Sequence, residues 1–360
     1  MSRPRLLMLG GYPLDRLDAA PKVRITRMRE AFEGLCDLTF LSDTREGRRK
    51  PLLALLPRIR QFDAVYVEAA TSTATETDLL FYSLCRRLGI PLGIYVRDAY
   101  PLYDYQYDAK PLKHRLLKLA WQVSIHWYQR EASALYFPTH GLSLHFHHPR
   151  KLLLPPGGRL HPGADRSAPE ARIVYVGGVS QVLGSDLLMQ AMERVVERLP
   201  EAKLSFICAP GAHDLIAPWR DRPWLELKHL ETDALLPEMN RAAVAVIPFR
   251  QADYPALPVK LLDYLSYRMP VVATPWSDVV AFIAKHHCGH VVEASPEAVA
   301  DGLIRVLLDP EEARRLSAAA GAAIAAGNSW DDRARTVLET LLSGSSRSAK
   351  ERHPFGESPS

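Results

Sequence analysis

The stretch Ala256-Leu-Pro-Val-Lys-Leu-Leu-Asp-Tyr-Leu-Ser-Tyr-Arg-Met-Pro-Val-Val-Ala-Thr-Pro275 contains one complete helix-to-strand step. Pro258 has the fixed φ that suits the first turn of a helix, and Leu261, Leu262 and Leu265 recur at the spacing of one buried helical face. The spacing predicts a helix over 259–267. Val271-Val-Ala273 is then a short β-branched run of the kind that fills a buried strand.

The same alternation runs outward through the chain. Apolar runs at Leu6–Leu9, Leu38–Leu41, Ala64–Val67, Leu92–Val96 and Ala134–Phe137 alternate with amphipathic stretches such as Val23–Phe32 and Asp78–Leu88. A second series has strands at Ile173–Val176, Leu204–Cys208, Leu225–Leu227, Val244–Ile247, Val271–Ala273 and His290–Val292. Repeated βα units predict parallel sheets covered by helices. The chain therefore reads as α/β, with two doubly wound Rossmann-like domains facing across a cleft. The first covers 1–155, a polar linker follows at 156–170, the second covers 171–342, and the Ser-rich tail 343–360 is expected to stay disordered. Open sheets of this type bind ligands beyond the carboxyl ends of their strands, so the loops after each strand are the ones to search.

Composition narrows the function classes. With 360 residues, 47% hydrophobic and 24% charged, the chain has enough apolar surface for two cores and is neither fibrous nor disordered. Four cysteines lack the paired spacing of a zinc knuckle or a disulfide framework, so a reducing compartment and no metal are expected. No apolar run reaches the roughly 18 residues needed to cross a bilayer, and the expected location is cytoplasmic. Residues 1–150 carry 22 Lys/Arg against 15 Asp/Glu, a modest basic excess with no nucleic-acid recognition motif beside it. No carboxylate pair can be nominated for glycoside hydrolysis.

Lys260 and Asp263 lie three apart near the positive end of the 259–267 helix. A phosphate there meets backbone N–H groups, the helix dipole and an ammonium together, and a carboxylate one turn on can accept hydrogen bonds from a ribose diol. A surface i, i+3 ion pair is the competing reading. The whole string resembles the retaining GT-B glycosyltransferases of family 4, whose helix reads Pro-(Leu/Val)-Lys-Leu-x-Glu-Tyr-(Leu/Met)-x-x-x-x-Pro-Val-Val-Ala in one common variant. The resemblance covers residues 4–342 in architecture and is motif-specific mainly over 172–330. It implies transfer of a sugar from a nucleotide-sugar donor, bound by the second domain, to a glycan or lipid-linked acceptor held by the first. It further implies retention of configuration by front-face substitution, with no metal and no cofactor beyond the nucleotide-sugar co-substrate. Lys260 falls to the donor diphosphate, and Asp263, where the family usually has Glu, to the ribose. Pro255 stands where many members carry an earlier Glu.

Tyr175-Val-Gly-Gly-Val-Ser-Gln-Val-Leu-Gly-Ser-Asp186 is similar to the family's Val-Gly-Arg-x-x-x-x-Lys-Gly loop, with Gly178 at the Arg position and Leu183 at the Lys position. Gly177, Gly178, Ser180 and Gly184 become donor-loop candidates. Arg250, after the strand 244–247, is either a compensating cation or a solvated strand-end charge. On the acceptor side the candidates are Gly10, Gly11 and Tyr12 after the first strand, Arg24 in the next helix, and Thr71, Ser72 and Thr73 in a hydroxyl-dense run. Thr75 with Asp78 forms a capping-box signature. Arg97 and Asp98 end the fourth strand, where the resemblance places the transferred sugar, with Arg97 at a common His position; together with Lys260 they are the catalytic candidates.

Lys110–Arg130 reads as a long amphipathic helix, with Leu112, Leu116, Leu119, Val123 and Trp127 as its core stripe. Lys110, His114, Leu117 and Trp121 then form a second face that is either solvated or laid on anionic lipid headgroups, making the inner membrane face a peripheral location. Two rival functions stay open. One is a nucleotide-sugar 2-epimerase of the same architecture. The other is a non-catalytic sugar-binding partner subunit, prompted by the missing cations at Gly178 and Leu183.

Overall fold

The computed structural model describes residues 3–14, 20–70, 73–99, 111–211, 213–250 and 257–350. The chain divides into two units, residues 1–155 with 330–360, and residues 156–329. Thr71, Ser72, Lys110 and Pro255 lie outside the described residues.

The first unit runs β1 (Arg5–Gly10), α1 (Ala20–Leu35), β2 (Asp37–Ser42), α2 (Arg49–Leu55), β3 (Ala64–Glu68), α3 (Glu76–Arg87), β4 (Leu92–Tyr95), α4 (Pro111–Glu131), β5 (Ala134–Phe137), α5 (His140–Ser143) and β6 (Lys151–Leu153). Its strands form one parallel sheet in the order β2-β1-β3-β4-β5-β6. Helices cover both faces, which is why β3, β4 and β5 are buried along their whole length instead of alternating. The Thr75 and Asp78 side chains cap α3 reciprocally, as their spacing predicts.

The second unit continues with β7 (Glu170–Val176), α6 (Ser185–Arg198), β8 (Lys203–Ile207), β9 (Leu225–Lys228), α7 (Leu236–Arg241), β10 (Ala242–Ile247), α8 (Val259–Ser266), β11 (Val271–Ala273), α9 (Ser277–His286), β12 (Gly289–Val291), α10 (Pro296–Leu308) and α11 (Pro310–Ala325). A final helix, α12 (Trp330–Lys350), packs on α1 in the first unit. The second sheet is also parallel, ordered β12-β11-β10-β7-β8-β9. Leu261, Leu262 and Leu265 are fully buried, as the helical spacing requires.

Every strand expected from the sequence is present, and the differences lie elsewhere. β6 is short and its side chains are partly or fully exposed, so its three residues carry almost no periodic signal. The stretch 156–169 is no free linker. Gly158 N–H donates to the Asn328 carbonyl, His161 N–H to the Ser266 carbonyl, and the Arg166 guanidinium to the Met239, Ala242 and Ala243 carbonyls, which fastens the segment along the second unit. α12 runs on to Lys350, past the expected end at Leu342, because its serines weaken a helix without stopping it and the next proline is Pro354.

The largest correction concerns α4. The expected core stripe faces outward: Leu112 is 71% exposed and Leu116 59%, with Leu119 and Val123 also exposed. The buried face is Trp121, Ser124, Ile125 and Tyr128, so Trp121 is closed off from any lipid surface. Trp121 packs edge-on to Phe146, and Tyr128 to Tyr82, and this aromatic seam sets the rotation of the helix. Trp127, expected in the core, instead sits part-buried and donates from Nε1 to the Ser83 hydroxyl.

Candidate functional sites at the carboxyl ends of the sheets

In the second unit, β7 ends against the first turn of α8. Tyr264 Oη accepts the Val176 N–H at 2.8 Å from inside the core and so fixes the distance between strand end and helix. The Lys260 ammonium is thereby swung over aromatic rings, 4.4 Å from the Tyr175 centroid and 5.0 Å from that of Phe249. Trp276 packs edge-on behind Phe249. Parts of the Lys260 side chain reach solvent, but Nζ itself is buried and has no hydrogen-bond partner among the described residues. Burial brings its pKa down to about 7, with Asp263 pulling the other way. A buried amine over two ring faces with no hydrogen-bond partner among the described residues is a group whose burial calls for an explanation.

The loop above β7 needs its glycines. Gly177 has φ +155°, and a Cβ there would run into the Lys260 ammonium. Gly184, at φ +68°, caps α6 and lies against the Pro248 carbonyl at the end of β10, where no side chain fits. Tyr175 Oη donates to the Gly178 carbonyl at 2.8 Å and holds the loop down. Of the other donor candidates, Ser180 Oγ accepts the Leu183 N–H at 3.1 Å, so it shapes the loop from within. Arg250 pairs with Asp186 at 2.9 Å, and its N–H donates to the Val182 carbonyl. That pairing ties β10 to the glycine loop and does not aim the guanidinium at Lys260. Asp263 sits one turn into α8, partly exposed.

In the first unit the carboxyl ends of β1, β3 and β4 converge on Glu68, which is 0% exposed. Its carboxylate accepts from Arg24 Nε at 2.9 and 3.1 Å and from Tyr66 Oη at 2.6 Å, and pairs with Arg97 at 3.5 Å. Arg24, nominated for the acceptor, is 1% exposed, with Cζ 3.5 Å above the Tyr95 ring; the structure makes it a core cation. Burial opposes its charge most strongly, but Glu68 together with Tyr95 and Tyr66 more than offsets it and the guanidinium stays protonated. Arg97 is the less covered of the two and lies beside Tyr12.

Gly10 and Gly11 hug the sheet. Gly11 N–H donates to the Glu68 carbonyl at 3.1 Å, the Gly10 carbonyl accepts from Arg48, and the Tyr12 carbonyl accepts from Ser42. Arg48 is buried and also pairs with Asp78 at 3.0 Å. Thr73 and Asp98 are buried. Sequence reading missed Glu68, Arg48, Tyr264 and the clamp by Tyr175. For Tyr264 a signal existed, its place one residue after Asp263 in a helix that buries its other apolar residues. The Glu68–Arg24 pair, 44 residues apart, left none.

The two parallel six-stranded sheets, each flanked by helices, define a GT-B-fold protein. The family description "Glycosyl transferases group 1" matches residues 170–309, inside the second unit. A D-inositol 3-phosphate glycosyltransferase of Corynebacterium urealyticum is 26% identical over 244 residues, 58% of this chain and 56% of that protein, so the chain matches little more than half of the curated relative. Among solved structures, sucrose-phosphate synthase of Thermosynechococcus elongatus superposes with TM-score 0.67 at 12% identity, over 96% of this chain and 100% of that one. HepE of Anabaena, solved in complex with UDP, superposes with TM-score 0.67 at 11% identity, over 94% and 100%. At such identities these two likenesses speak for the fold.

Proposed function

We propose that the protein transfers a sugar from a nucleotide-sugar donor held by the second unit to a saccharide or lipid-linked acceptor held by the first, with retention. The observation that carries this is the Lys260 ammonium, buried and unpartnered among the described residues, at the N-terminus of α8 and against the Gly177 loop. When a donor diphosphate leaves, its developing charge is met by that ammonium and the helix end, groups already in place that need no reorganisation. With cations absent at Gly178 and Leu183, Lys260 carries a larger share of the stabilisation. Asp263, one turn into α8 and partly exposed, takes the ribose in this reading. Arg97 and Asp98 close the end of β4, where they orient the sugar or acceptor hydroxyl.

A thermal-shift panel of nucleotide sugars tests this. One donor should stabilise the wild type, and Lys260→Ala and Asp263→Ala should each lose most of that shift; an unchanged shift in both removes the site. Donor binding without turnover on any saccharide or lipid-linked acceptor would instead leave a sugar-binding subunit.

On the acceptor side, the outward row Leu112, Leu116, Leu119 and Val123, flanked by Arg115 and Lys118, supports contact of α4 with an anionic lipid surface. No helix among the described residues is long and apolar enough to cross a membrane. Co-sedimentation with phosphatidylglycerol vesicles should fall on Leu116→Glu, and that of the wild type should fall when the vesicles are zwitterionic instead.

A further inference from the structure

β8 and β9 end in a cluster of one thiol and two imidazoles. Cys208 directly follows β8, His229 directly follows β9, and His213 lies five residues beyond Cys208. Cys208 Sγ is 3.4 Å from His213 Nε2, and the two imidazole centroids are 5.9 Å apart. The sulfur and one nitrogen of each ring all lie within 4.8 Å of one another. Cys208 and His213 are buried, whereas His229 opens to solvent.

We propose that Cys208, His213 and His229 bind a divalent transition ion of the zinc class, with water in the fourth position. One thiolate and two neutral imidazoles are a ligand set that favours such an ion over calcium or magnesium, which take oxygen. The His229 ring is already oriented for the task. Its Nδ1 lies 2.8 Å from the Cys208 carbonyl oxygen, and because a carbonyl can only accept, Nδ1 holds the proton and Nε2 keeps its lone pair. A backbone carbonyl on the far nitrogen is the usual way a ligating imidazole is held. Sequence spacing hides the site because Cys208 and His229 meet only through the β8–β9 pairing, in which the Cys208 N–H donates to the Lys228 carbonyl at 3.0 Å.

A nucleophilic role for the thiol fits less well. The Cys208 thiol is buried and is reached only by a small ion that takes the place of its proton. The ion would pin two strand ends beside the donor loop, since the Gly177 N–H donates to the carbonyl of Ile207, the residue before Cys208.

The test uses the full-length chain without a tag, stripped by a chelator and titrated with Co2+ alone. The wild type should develop a thiolate-to-cobalt charge-transfer band that saturates at one ion per chain and is bleached by Zn2+. Cys208→Ser should abolish the band. His229→Ala, a change at an exposed side chain, should weaken Co2+ binding at least about tenfold while circular dichroism shows the fold retained. A wild-type titration with no saturating band, or a band of equal strength and affinity in both variants, overturns the site. Nucleotide sugar takes no part in the measurement, so the outcome is independent of the donor reading.

Discussion

Each unit buries a cation at the carboxyl end of its sheet, and the two are treated in opposite ways. In the first unit Arg24 lies over Tyr95 and is answered by Glu68, with Tyr66 and Arg97 completing the network. In the second, Lys260 lies over Tyr175 and Phe249 and is answered by no hydrogen-bonding group among the described residues. An internally neutralised cation belongs to the scaffold. One whose nitrogen has no hydrogen-bond partner among the described residues, with only the Asp263 charge one turn away, leaves room for a further anion. Burial and aromatic contact look alike in both, and a carboxylate in direct hydrogen-bond contact makes the difference.

That contrast can be broken by experiment. Glu68→Ala should have the largest effect on the fold, about 3–5 kcal/mol of unfolding free energy, because it strands Arg24 in the core. Urea denaturation measures it, and a loss below about 1 kcal/mol would show that the pair is not what holds these strand ends. Lys260→Ala should do the reverse. The apoprotein should melt at the same temperature or higher, while kcat/KM falls about 10²–10³-fold, as when one preorganised donor is removed from an oxyanion site. Loss of apoprotein stability on this substitution would place Lys260 with the scaffold cations.

The depressed pKa of Lys260 gives a third expectation. The unfolded chain keeps this lysine protonated to about pH 10.5 and the folded one only to about 7, so between those values the unfolded state holds more protons. Lysine 260 therefore makes apoprotein stability rise with pH across that window, with its penalty in full below pH 7. Binding runs the other way, since a diphosphate needs the ammonium. Calorimetric affinity for a nucleoside diphosphate should fall by up to about tenfold per pH unit above 7, with proton uptake. A flat profile from pH 6.5 to 8.5 would contradict the buried ammonium. The smallest effect is expected of Leu183→Lys, whose partly exposed side chain can swing a charge toward the loop and should tighten nucleotide binding by less than about tenfold.

What the sequence disclosed follows from the range of the signal. The strands, the α8 leucines and the Thr75–Asp78 cap rest on spacings of a few residues, and all are found. The long-range pairings were silent: Glu68 with Arg24, Arg48 with Gly10 and Asp78, Tyr264 with Val176. α4 shows how a local signal misleads. Two apolar stripes run along it, and leucine count favours the one that faces out, whereas the aromatic seam with Phe146 and Tyr82 decides which one packs. Lys260 was legible as a residue, but its burial over two rings was not.

The position of α12 bears on how the chain is made. Trp330, 2% exposed and 5.7 Å from the Arg24 guanidinium, belongs to the first unit but leaves the ribosome after the whole of the second. During synthesis the leading segment therefore waits with part of its aromatic cover missing, while residues 156–329 can close on their own. The unit translated first is the one completed last, which makes the unfinished β1–α1 face the natural stretch for a chaperone to shield.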